Sequence, residues 1–214
     1  MSETNFRGPV YGGVGTSVPT TAGVSGGIRT QAAHVEYFDA TYDRRTFSID
    51  SDSVTLAAAN ATKAALATAK FINGFYNPAD SGKLAVILNA MVATVSGTPA
   101  GPYFYNYISG VVPTNAATGT IRSGYLGYSG GSGMVAETGV VLTVSGGATT
   151  ALTQLGLLGG PAAIATGAGM YSVADAVRGQ IIVPPGTLFG IMCTAAGTTH
   201  VVQSTLTWEE VKAV

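Results

Sequence analysis

At 214 residues the chain is long enough for one large all-β domain, or for one domain plus an arm. Charged residues are only 10% of it against 46% hydrophobic, where ordinary globular domains carry about 25% charged. So neutral a surface is either built from Ser, Thr, Gly and Asn or covered by other chains. The net charge of −1, with no basic cluster beyond Arg44-Arg45, argues against nucleic acid as a partner, and the single cysteine excludes a disulfide within the chain.

Residues 1–30 are rich in Gly, Ser, Thr and Val, with Pro9 and Pro19. Such a segment buries too little apolar surface to offset its ordering entropy. It is expected to be a flexible or extended N-terminal arm, followed by a single domain over residues 31–214. Phe6, Val10 and Tyr11 are the residues that could anchor the arm if it becomes ordered on a neighbouring subunit; otherwise it is a disordered tail. The first ten residues have no apolar core, so no secretory signal is read there. The most apolar run, residues 84–95, contains Asn89 and Thr94 and is shorter than the roughly twenty residues a membrane helix needs. The expectation is a soluble protein made in the cytoplasm, with no membrane partner.

Residues 34–38 (HVEYF) and 45–49 (RTFSI) read as strands around a polar turn. Residues 54–76 mix helical Ala content with strand-like Thr, and strands are preferred because the surroundings are β. Residues 77–82 (NPADSG) form a turn. Residues 83–96 (KLAVILNAMVATVS) form a core strand whose near-continuous hydrophobicity suggests burial on both faces. A short strand at 103–108, a loop over 109–135, a strand at 137–144 and a short helix near 152–157 follow. The closing part is clearest: strands at 180–183 and 187–194 around Pro184-Pro185-Gly186, then a turn at 195–199. Pro185 and Gly186 suit the two central positions of a type II turn. In the last strand, residues 200–208, Val202, Ser204, Leu206 and Trp208 point one way and Val201, Gln203, Thr205 and Thr207 the other, before Glu209-Glu210 ends it with charge. Fourteen charged residues lie at or before Lys83 and seven after it, which suggests one charged, wet surface and one neutral one. Short strands with Gly/Pro punctuation indicate an all-β fold, an antiparallel jelly-roll sandwich with an N-terminal arm.

The chain offers little chemistry. His34, Glu36 and Asp39 match no strong metal template. Cys193 and His200 would face each other across a hairpin, but Phe189, Ile191 and Met192 make Cys193 a packing residue. The glycine run at 12–17 lacks the lysine of a phosphate loop, and the one at 130–133 is no better. No catalytic, metal or cofactor site is expected, and no enzyme. Tyr103, Tyr105 and Tyr107 share one face by alternation. With Phe104 and Ile108 as core, they would line an outer face: a half-buried strand, a subunit interface or a sugar-binding surface.

Several segments resemble a class of tailed-bacteriophage structural proteins. They are residues 159–164 (GGPAAI), 181–186 (IIVPPG), 195–200 (AAGTTH), 206–210 (LTWEE) and the turn at 76–83 followed by its long apolar strand; the likeness covers about residues 70–214. The resemblance implies a jelly roll, sometimes resembling tumour-necrosis-factor-like trimers, and a capsid decoration (cement) role. It implies a homotrimer on the virion capsid surface, synthesised in the host cytoplasm, with the major capsid protein as partner. The arm, through Phe6, Arg7, Val10 and Tyr11, would clamp capsid subunits. The alternative is a host-surface adhesion or carbohydrate-binding module on capsid or tail, with surface glycans as partners.

Overall fold

The computed structural model describes residues 37–56, 70–99, 101–114, 119–139, 152–159, 171–193 and 196–213. The sandwich belongs to the unit Asp39–Val214. After a five-residue helix, α1 (Phe38–Tyr42), come eleven strands among the described residues. The first sheet is ordered β5 (Ile121–Ser123), β1 (Thr46–Leu56), β11 (Ala196–Lys212), β3 (Lys83–Pro99), β8 (Ser172–Asp175), with β9 (Ile181–Val183) also on β3. The second is ordered β6 (Val135–Ala136), β2 (Asn73–Asn77), β10 (Thr187–Cys193), β4 (Tyr103–Ser109), β7 (Thr153–Gly159). All pairings are antiparallel. The protein is an all-β sandwich of jelly-roll-like type.

The core lies between the sheets because alternation sends one face of each strand inward. From β11 come Val202, Leu206 and Trp208, from β1 Ile49 and from β3 Ile87; Phe75, Phe189, Ile191 and Tyr105 oppose them. Trp208 sits 4.7 Å from Phe75 and 6.4 Å from Phe47, ring centre to ring centre. Two asparagines on the inward face of β2 tie the layers. The Asn73 amide donates to the carbonyls of Ile49 (2.8 Å) and Ser204 (3.0 Å), and that of Asn77 to Lys83 (2.9 Å) and Val183 (3.0 Å). Buried amides placed this way satisfy themselves only at one sheet-to-sheet register.

The second sheet also carries a core on its outer side, formed by Phe71, Tyr76, Ile108, Val111, Leu152, Leu188 and Met192. All residues of β2 and β10 are buried. Gly74 pairs with Gly190, and the Phe71 ring lies over both, at 2.9 Å from where a Cβ on either would stand. The missing side chains make room for the ring.

Several sequence expectations are revised. The described end of the strand expected at 34–38 starts α1 instead. β3 runs to Pro99, but only one of its faces is buried, with Met91 and Val95 exposed. It is β10 that is covered on both faces. The helix expected near 152–157 is strand β7, because pairing with β4 outweighs the helical preference of a Leu-rich segment. The expected loop at 109–135 contains β5 and leads into β6 at Val135; of the strand expected at 137–144, the described residues 137–139 hold only a single bridge. The turn expected at 195–199 is already strand from Ala196, and β10 and β11 form no hairpin: they lie in different sheets. Glu209-Glu210 does not end β11, which continues to Lys212 with Glu210 buried. Gly186 takes the positive φ (74°) that the type II turn requires.

Candidate functional site

The tyrosine face of β4 points inward, not outward. Tyr103 and Tyr105 are buried and Tyr107 packs against the main core, while Ile108 belongs to the outer one. The alternation was right and its polarity wrong, because the second sheet has apolar cover on both sides and the strand carries no sign of which side faces the other sheet. The Tyr105 hydroxyl donates to Asp175 Oδ2 (3.0 Å), linking β4 to β8; burial, and then this bond to a carboxylate, raise its pKa. Burial pushes Tyr103 up to about 12, with the Thr94 hydrogen bond opposing.

Tyr103 meets His200 rather than solvent. Its hydroxyl lies 3.2 Å from His200 Nε2, and Thr94 Oγ1 lies 3.3 Å from both. His200 Nδ1 has no partner among the described residues, and burial lowers the pKa of the ring. Cys193 is buried, its thiol 3.5 Å from the Gly101 carbonyl. Both side chains are buried in the interlayer beside Tyr103. Among the described residues no cluster of three His, Cys, Asp or Glu could hold a metal. His34 and Glu36, and the arm residues Phe6, Arg7, Val10 and Tyr11, lie outside the described residues.

The exposed feature with most organisation is at one end of the sandwich, where α1 meets the loop after β5. The helix closes with hydrogen bonds from Arg44 N to the Thr41 carbonyl (2.9 Å) and from Arg45 N to the Ala40 carbonyl (2.8 Å). This is the Schellman pattern. Arg44 occupies its left-handed position, with φ 61°, where glycine is the usual residue. Residues 125–128 (YLGY) form a turn closed by Tyr128 N to the Tyr125 carbonyl (3.1 Å), with Gly127 at φ 82°. The turn puts Tyr125 and Tyr128 side by side. The Arg44 guanidinium lies over both rings, 5.4 Å and 5.2 Å from their centres. Tyr42 meets Tyr125 edge-on at 6.5 Å and is 65% exposed; Leu126, at the tip, is 91% exposed.

Beside this stack is an open pocket of about 360 Å³, walled by Arg44, Arg45, Lys83, Tyr128 and Lys212. Its base is Glu210, whose carboxylate takes an ion pair from Lys83 (2.6 Å), a hydrogen bond from the Ser132 hydroxyl, and the Gly133 amide (3.0 and 3.1 Å). The glycine run at 130–133 thus cradles an anion, but the protein's own. Arg45 pairs with Glu209 and, at 3.5 Å, with Asp43. Charges from both ends of the sequence therefore gather at one place. Nothing in the sequence marked Arg44, Tyr125 and Tyr128 as partners; the YLGY turn was the available signal.

A second groove, of about 450 Å³, has Asp50, Asp52, Lys70 and Arg122 in its wall, and Asp50 and Arg122 neutralise each other at 3.6 Å. Comparison with known protein families and with curated protein sequences finds no match.

Proposed function

We propose that this chain is a phage virion structural protein, a homotrimeric decoration protein that stabilises the head by bridging major capsid subunits. The work is mechanical: a trimer presents several weak contacts at once, and their combined hold exceeds that of any one. The reading is supported by the resemblance over residues 70–214 and by the neutral sandwich. The observation that carries it is the rim of the second sheet. β7 is the last strand there, paired among the described residues only with β4. It turns Leu155 (50% exposed) and Leu157 (59% exposed) outward, Leu157 beside Phe104 of β4. An edge that is open among the described residues and carries outward leucines is a surface suited to another chain, and it takes over the interface role that Tyr103, Tyr105 and Tyr107, facing inward, do not offer.

Light scattering tests this directly. The wild type should have the mass of three copies, and Leu157→Lys should shift it to the monomer. A wild-type monomer overturns the trimer. Deletion of residues 1–30 should leave the fold and abolish binding to purified heads; undiminished binding overturns the arm contact.

A further inference from the structure

We propose that the pocket beside the Arg44 stack binds an acidic saccharide, taking the sugar carboxylate on Arg44 and the sugar ring against the Tyr125–Tyr128 turn. This site is independent of the capsid role and of the tyrosines of β4.

Charge accounting selects the arginine. Of the cations around the pocket, Arg45 is held by Glu209 and Asp43, and Lys83 by Glu210. Arg44 and Lys212 make no ion pair among the described residues. Set against Asp43, Glu209 and Glu210, the four cations leave one positive charge over, which suits a single carboxylate. A polyphosphate or nucleic-acid backbone would call for a wider basic surface, and the chain has only 10 Lys and Arg in all.

Backbone strain selects it again. A non-glycine residue in the left-handed region costs about 1–2 kcal/mol, and the helix cap itself uses only the backbone of Arg44. Glycine would cap the helix better. Strain of this kind is kept where the side chain serves a site. Here the left-handed backbone aims the side chain across the turn, where the guanidinium carbon stands 5.4 Å and 5.2 Å from the centres of the Tyr125 and Tyr128 rings. Its N–H edge is left to grip a planar carboxylate with two parallel hydrogen bonds.

The rest of the pocket suits a sugar. Its volume, about 360 Å³, lies in the range of small-ligand sites. Gly131 lines the rim without a side chain and leaves room for a sugar ring, while the Ser81 hydroxyl is taken up by Asn77 Oδ1 (2.6 Å) and the Lys83 amide (3.3 Å). The Tyr128 ring lies against Gly130, where a Cβ would stand 2.1 Å from it.

Calorimetric titration with a galacturonate trisaccharide, against the neutral galactose trisaccharide, tests the proposal on the full chain. The acidic sugar should saturate one site per chain, and the neutral one should bind at least about tenfold more weakly, the loss expected for one charge-assisted pair. Arg44→Gly should weaken the acidic sugar by a similar factor while the melting temperature stays level or rises, because glycine relieves the left-handed strain. Absence of saturable binding by the acidic sugar, equal affinity for both sugars, or full binding by Arg44→Gly overturns the proposal. A fall in melting temperature for Arg44→Gly does so as well, since the arginine would then be serving the cap.

Discussion

The first sheet is wet on its outer side: Met91 and Val95 on β3 and Ile182 on β9 stand exposed, and polar residues alternate with buried ones along β11. The second sheet is covered on both sides at its centre, where β2 and β10 have no exposed residue. Yet β3 and β10 both read as predominantly apolar runs. What separates them is the glycine pair on β2 and β10. Only a strand without side chains at Gly74 and Gly190 lets the Phe71 ring lie flat on the outer face and found a second core. Hydrophobicity along a strand therefore does not report how many of its faces are buried; that depends on what packs against it.

The difference can be broken most directly at Gly190. A methyl there would lie 2.7 Å from the Asn73 carbonyl and 2.9 Å from the Phe71 ring. Neither backbone nor ring can move without opening the outer core, so Gly190→Ala should cost about 3 kcal/mol in urea unfolding, the upper range for overpacking. A cost below about 1 kcal/mol would mean the outer core is loosely packed.

The seam between the sheets gives an intermediate, pH-dependent effect. His200 is buried, and burial lowers its pKa below the unfolded value near 6.5. The unfolded state then binds the proton more readily than the folded state. This contribution is fully present above about pH 6.5 and is lost as pH falls toward the folded pKa, at up to about 1.4 kcal/mol per pH unit. Replacing His200 by Gln, which retains a polar partner for Tyr103 and Thr94, should flatten the stability profile below about pH 6.5. An unchanged slope assigns the acid sensitivity to other groups.

The smallest effect belongs to the wet side. Met91→Thr, on the exposed face of β3, should change stability by less than about 0.5 kcal/mol, as surface substitutions do. A large loss would place this face, too, under cover from another chain.

Much of the architecture was legible. The alternation in residues 200–208 located the inward face of β11, and Pro185-Gly186 located the turn before β10, because both signals are local. The hairpin expected between β10 and β11 was not there, since a turn signal does not say whether the next strand returns to the same sheet or crosses to the other. The candidate site was barely legible. Arg44 comes from a helix cap, Tyr125 and Tyr128 from a turn more than eighty residues later, and Lys212 from the end of β11.

By itself the sequence determined an all-β chain, strands punctuated by Gly and Pro, and which residues share a face, because alternation and turn chemistry act over a few neighbouring residues. Only the tertiary structure decided which face is inside, which strands pair and which charges meet. Tyr103 and Tyr105 are core because the first sheet lies over them. Arg44 stands in a stack because a helix cap and a distant turn are brought together. Those outcomes depend on packing between segments far apart in the chain, and no local pattern encodes them.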